Sequence, residues 1–140
     1  MNEIELVEAI QMHTVTDKKG ERHLLSVPIT MHVTAAKKAE IGAAKLVAIK
    51  WNGEIVATIS EPVFFDNRKE EICARTFGCF SPEHSGAGPI MAQGEFLISG
   101  SSMHFMKRVM FNDGMDKYRY TPSEIYAKIQ ERNADAVYAF

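Results

Sequence analysis

The stretch Lys45–Ile59, KLVAIKWNGEIVATI, decides the fold class. Two β-rich runs, Lys45 to Trp51 and Glu54 to Ile59, flank Asn52-Gly53. Both central positions of a two-residue hairpin turn need positive φ, and Asn-Gly meets that demand. The spacing predicts an antiparallel hairpin. Pro62 ends the second run, because proline cannot donate to a strand ladder.

Working outward, the same grammar yields further short elements. Upstream, Glu3 to Met12 carries apolar residues at helical spacing, Ile4, Leu6, Val7 and Ile10. Asp17-Lys18-Lys19-Gly20 reads as a turn. Leu24 to Val33 reads as a strand interrupted by Pro28, which argues for an edge or a bulge. Ala35 to Ile41 is a brief helix closed by Gly42. Downstream, Asn67 and Glu70 have the spacing of a capping box, so a helix is expected to start at Asn67 and stop at Gly78. Cys79 to Pro89 reads as a loop. Glu95 to Ser99 and Met103 to Phe111 read as strands split by Gly100-Ser101. The expectation is a mixed α/β, strand-rich domain of about five or six strands with short helices between them.

Composition excludes several classes. The 140 residues are 46% apolar and 24% charged, ordinary for a soluble globular domain. A net charge of −2 supplies no basic bulk for nucleic acid or an anionic membrane. No apolar run approaches the roughly 20 residues of a membrane span. The start, MNEIELVEAI, is acidic and lacks a cationic lead into an apolar core, so no signal peptide is expected. Two cysteines, Cys73 and Cys79, do not make a disulfide scaffold, which points to a reducing, cytoplasmic setting.

Candidate chemistry is sparse. His13, His23, His32, His84 and His104 are scattered, no pair of them has zinc-ligand spacing, and no metal site is expected. Cys73 is expected to pack as a small apolar residue. Arg68, Lys69, Glu70, Glu71 and Arg75 could gather an anion, since guanidinium offers a planar fork of donors. A solvated helix face with a Glu71–Arg75 pair at i,i+4 is the simpler reading. Gly86-Ala87-Gly88 is no phosphate loop: no strand leads into it and no Lys-Ser/Thr closes it. No nucleophile–base pair is evident, and no catalytic residue is assigned.

The carboxyl-terminal thirty residues, FNDGMDKYRYTPSEIYAKIQERNADAVYAF, hold the clearest helix signal. Thr121 is placed to cap, Pro122 takes the first helical position, and Glu124 completes a capping box. Ile125, Tyr126 and Ile129 form one stripe, and Asn133 suits a left-handed stop. Ala136 to Phe140 reads as a short buried strand.

This stretch resembles the segment of animal-type bifunctional 3′-phosphoadenosine-5′-phosphosulfate synthetases that leads into their ATP sulfurylase domain. The matching residues are Asn112-Asp113, Gly114, Asp116, Tyr118-Arg119, Thr121-Pro122, Glu124 and Asn133 to Val137 with Ala139-Phe140. The likeness continues upstream through Ser26 to Ile29, Phe64-Phe65, Arg68 to Glu71, Cys73 to Arg75, Gln93-Gly94, Leu97-Ile98 and Gly100. Ser85 departs from it, standing after His84 where related sulfurylases have proline.

The resemblance implies a PUA-like β-barrel over residues 1–118. The first helix and strand of an α/β nucleotidyltransferase domain would follow over 119–140. The family's nucleotide-binding run, Gln-x-Arg-Asn-Pro-x-His-x-x-His, would begin just past Phe140, and its Gly-Phe-Met lead-in would precede or coincide with Met1. The expectation is a chain cut at both ends, a non-catalytic portion of a sulfate adenylyltransferase. Phe140 would stand at the edge of the nucleotide pocket, and no residue here would bind nucleotide directly. The intact enzyme would use Mg-ATP and sulfate, form a homodimer and act in the cytoplasm or nucleus, with no nucleic-acid or membrane partner. The alternatives are an RNA-binding PUA-type module, on fold analogy alone, and a stand-alone structural or dimerisation domain.

Overall fold

The computed structural model describes residues 1–138, and the chain divides into two compact units, Met1–Lys107 and residues 108 onward. Each unit is built from its own local signals.

In the first unit, Asn52 and Gly53 take φ of 49° and 82°, the two positive values the turn requires. They join β4 (Leu46–Trp51) to β5 (Glu54–Ser60). The pair is antiparallel from Trp51 opposite Glu54 to Leu46 opposite Ser60, with an irregularity between Ile49 and Lys50. On the far side of β5 lies β8 (Ser102–Phe105), with Ile59 opposite Met103 and Ala57 opposite Phe105. Directly opposed residues share a face, so Val47, Ile49, Ala57, Ile59, Met103 and Phe105 form one apolar stripe.

A second antiparallel sheet has the order β3 (His32–Val33), β7 (Phe96–Ser99), β6 (Val63–Asp66). A third is the small hairpin of β1 (Thr14–Thr16) and β2 (Arg22–Leu24) around the Asp17 to Gly20 turn. These are three sheets and, among the described residues, not the closed barrel that the resemblance implied.

Helix α1 (Glu3–Met12) starts on a capping box between Asn2 and Glu5 and stops at His13, whose φ is 54°. Its Leu6 and Ile10 pack with Ile72 of α3 (Lys69–Phe77) and with Phe65 of β6 and Leu97 of β7. Leu6, Ile10, Leu97 and Cys73 are almost wholly enclosed. Glu8, on the same helix, accepts from the Thr14 and Thr16 hydroxyls at 3.0 and 2.8 Å and so anchors the small hairpin. Helix α2 (Ala35–Ile41) is capped by Thr34 and closed by Gly42.

Four expectations for this unit need correction. The strand expected over Leu24 to Val33 survives only as its two ends, β2 and β3, with irregular chain through Pro28. The Asn67 side chain does not cap α3. Asn67 is engaged elsewhere, and Arg68 takes the capping position, where a guanidinium has no acceptor to offer the first N–H groups. The loop from Cys79 contains α4 (Ala87–Met91), and the strand expected to Phe111 ends at Phe105.

In the second unit, a 3-10 turn at Asp116–Tyr118 leads to α5 (Pro122–Glu131). Thr121 and Glu124 complete the expected capping box, and Asn133 has a φ of 47°. Among the described residues this unit buries no side chain. The strand expected from Ala136 is not formed over residues 136–138, and Tyr138 is 84% exposed. Ala139 and Phe140, and with them the position assigned to Phe140, lie outside the described residues. Among the described residues no helix is long and apolar enough to cross a membrane.

Candidate functional site

The densest polar network in the first unit gathers around Asn67. Its Nδ2 donates to Gln93 Oε1 at 3.1 Å and to the Gly94 carbonyl at 2.9 Å, while its backbone N–H donates to the Glu95 carbonyl at 2.9 Å. Its Oδ1 is buried with no partner among the described residues. Lys69 Nζ donates to the carbonyls of Met91 and Gln93 at 3.3 and 2.9 Å, a cation on the open end of α4. The Gly94 N–H donates to His32 Nδ1 at 3.2 Å. Glu95 Oε2 accepts the Ala35 N–H at 2.9 Å. The backbone N–H of Glu95 itself and that of Ala35 hold its carboxyl below the usual range.

Gly94 is required here by space. A Cβ at this position would stand 2.4 Å from the Val33 carbonyl oxygen, closer than any contact permits. The network therefore clamps β3, β6 and β7 to α3 and α4.

The cationic cluster is committed to this architecture. Arg68 reaches Glu3 on α1 at 3.5 Å and Glu71 at 3.4 Å. Glu71 also accepts from Gln11 Nε2 at 2.7 Å, so its partners are Arg68 and Gln11 rather than the expected Arg75. Donors already paired with carboxylates and carbonyls make a poor anion cradle.

The glycine loop has a structural reason as well. A Cβ on Gly86 would lie 2.6 Å from the Phe77 ring, and one on Gly88 would lie 2.3 Å from the Pro82 carbonyl oxygen. The His84 ring sits 5.2 Å from that of Phe77. His84 Nδ1 accepts the N–H groups of Gly86 and Ala87 at 3.1 and 3.2 Å, which leaves the proton of the neutral ring on Nε2. The Cys73 thiol points to the Ala87 carbonyl at 3.8 Å, and burial above all pushes its pKa up. Such a thiol is a packing group rather than a nucleophile.

Concavities occur in both units, and one of about 670 Å³ in the first is lined by Val15, Thr16, Asp17, Lys18, Leu25 and Ile29. Met31, Ile59, Ile98 and Met103, with Ser99 and Ser102, line a cavity of about 240 Å³ in the first. That lies below the roughly 300 Å³ at which ligand pockets usually begin. In the second unit Tyr120, Ile125, Ile129, Val137 and Tyr138, beside Lys128 and Arg132, line one of about 380 Å³. Nearby, Arg119 meets Asp113 through two bonds of 2.6 and 2.7 Å and Asp116 at 3.0 Å. That bidentate pair holds the Asp113 carboxyl well below the usual carboxylate range and the guanidinium above its own. Arg119 is thereby a structural cation, locking the loop that precedes α5.

One convergence escaped the sequence reading. Donor atoms of Asp17, Glu21 and His23 lie within 4.8 Å of one another across the β1–β2 hairpin. A search for paired histidines and cysteines passes over a set with two carboxylates. The signal present was their spacing around Gly20, where a tight turn brings residues 17 and 23 together.

The family profile for a PUA-like domain matches residues 1–107. Over its full length the chain is 30% identical to "ATP sulfurylase 2" of Arabidopsis thaliana and 26% identical to "ATP sulfurylase 4, chloroplastic" of the same plant. Over 82% of its length it is 28% identical to "Sulfate adenylyltransferase" of Deinococcus deserti. The chain spans 30%, 30% and 28% of those three proteins, less than a third of each.

Proposed function

The chain belongs to the PUA-like domain family, and from that premise we propose that it is the non-catalytic, amino-terminal portion of a sulfate adenylyltransferase. The observation that carries the reading is the similarity of the whole chain to ATP sulfurylases of which it spans less than a third. The intact enzyme would join sulfate to the α-phosphorus of Mg-ATP and release pyrophosphate. That reaction needs oriented donors for the phosphates and for the charge that develops. Three of the cations described above are instead paired internally, Arg68 with Glu3 and Glu71, Lys69 with carbonyls and Arg119 with aspartates. The role left to this portion is to support and position a catalytic part.

The finer reading keeps the residue pattern of the bifunctional synthetases. In it the intact protein works as a homodimer and resides in the cytoplasm or nucleus. The first helix of the nucleotidyltransferase fold would be α5.

The test is a pyrophosphate-release assay on two polypeptides, this chain and one extended through a full sulfurylase catalytic portion. Sulfate-dependent release by the extended chain and none by the short one is expected. Turnover by the 140-residue chain would overturn the reading. Salt-sensitive, sub-micromolar RNA binding would instead promote the RNA-binding module, against the net charge of −2.

A further inference from the structure

The β1–β2 hairpin gathers two carboxylates and an imidazole that the proposed sulfurylase role does not use. We propose that Asp17, Glu21 and His23 form a binding site for a zinc-type divalent cation, held by two carboxylates and one imidazole with a fourth position open to water.

Geometry comes first. Donor atoms of all three residues lie within 4.8 Å of one another, and His23 Nε2 is already 3.1 Å from Asp17 Oδ2. Four ligands at about 2.0–2.1 Å around a tetrahedral ion stand about 3.4 Å apart. One edge of the tetrahedron is nearly in place. The remaining adjustment falls on the exposed Glu21 and His23 side chains, which turn at low cost.

Pre-organisation comes second. Asp17 Oδ1 accepts the N–H groups of Lys19 and Glu21 at 2.8 and 2.9 Å, which fixes the carboxylate and leaves Oδ2 toward His23. The Asp17 N–H donates to the Glu21 carbonyl at 2.9 Å, and Gly20 donates to the Asp17 carbonyl at 3.0 Å. Register places Thr16 opposite Arg22 and Val15 opposite His23, and Glu8 ties β1 to α1. The scaffold is therefore set before an ion arrives.

Donor chemistry comes third. An imidazole nitrogen beside carboxylates favours zinc, cobalt or nickel over magnesium and calcium, which prefer all-oxygen shells. Three protein ligands plus water is also the arrangement of open zinc sites. Lys18 and Lys19 flank the turn and keep the affinity below that of a closed structural site.

The full chain is titrated with Zn²⁺ by calorimetry and with Co²⁺ by visible absorption, with Mg²⁺ as control, while ring resonances of all five histidines are followed. The expected result is one ion per chain, a Kd below about 100 μM, and a shift of the His23 ring. His23→Gln and Glu21→Gln should each weaken binding at least about tenfold. Amide spectra of the hairpin in both variants confirm that it remains folded. No saturable binding of Zn²⁺ would overturn the proposal. So would unchanged affinity in His23→Gln, or loss of binding on alkylating Cys79 instead.

Discussion

The two units solve the same problem with different physics. Residues 1–107 bury apolar side chains, with Leu6, Ile10, Leu97 and Cys73 almost fully enclosed. The described residues from 108 onward bury none and are held by ions and caps: Arg119 with two aspartates, Arg108 with Glu124, Thr121 with Glu124. The difference separates local from tertiary stability. Helix α5 has a full set of start signals, yet Ile125 and Tyr126 of its stripe are exposed, at 43% and 65%. A capped helix of this length gains little in water until a face is covered.

The sharpest way to break this comparison is to truncate one apolar residue in each unit. Leu97→Ala removes a wholly enclosed side chain from the central strand β7 and should cost about 2–5 kcal/mol in chemical denaturation. Ile125→Ala should change stability by no more than about 0.5 kcal/mol. Equal losses would show that the second unit has a core after all.

A smaller effect separates two glycines. Gly94→Ala forces a methyl group against the Val33 carbonyl and should destabilise the first unit by about 1–3 kcal/mol. Gly114 has open space around it and a φ of 79°, so Gly114→Ala strains its own turn only. A melting temperature lowered more by Gly94→Ala than by Gly114→Ala is the expected outcome of parallel thermal scans. The reverse order would refute the packing argument.

The least effect concerns pH. The Arg119 side chain, and after it the Met115 N–H, depress the Asp113 carboxyl in the folded chain. A depressed folded pKa means stabilisation that is fully present above the unfolded value, about 3.9. It is lost as pH falls through the folded value. Both partners are well exposed, so salt should weaken the effect. Carboxyl carbon shifts of Asp113 should titrate below the ordinary range, and Arg119→Met should return them toward it. An ordinary Asp113 titration in the unaltered chain would remove the ion-held half of the comparison.

Short-range rules made much of this fold legible. The Asn52-Gly53 hairpin, helix α1, helix α2 with Gly42 and the Thr121 capping box follow from turn, period and cap chemistry alone. What stayed hidden depends on partners distant in sequence. Asn67 has the spacing of a cap but turns to Gln93 and Gly94, 26 and 27 residues away. Gly86 and Gly88 looked like loop residues, and contacts with Phe77 and Pro82 set their identity. Ala136 to Tyr138 has a strand's composition without a strand to pair with among the described residues. The Asp17–Glu21–His23 group needed the hairpin register before its donors could be seen to meet.

The Asn52-Gly53 turn also gives the molecule a chemical age. Both residues are exposed, and a Cβ on Gly53 would meet nothing within 4 Å, so the turn stands open to solvent. Attack of that nitrogen on the Asn52 side-chain carbonyl expels ammonia and closes a succinimide. Hydrolysis of the ring then leaves aspartate or isoaspartate. Isoaspartate lengthens the backbone by one methylene in a loop of two residues, where both φ values are fixed by the strands they join. Stored protein should therefore accumulate acidic variants that map to this dipeptide, and the hairpin that is easiest to read from the sequence becomes the place where its pairing first frays.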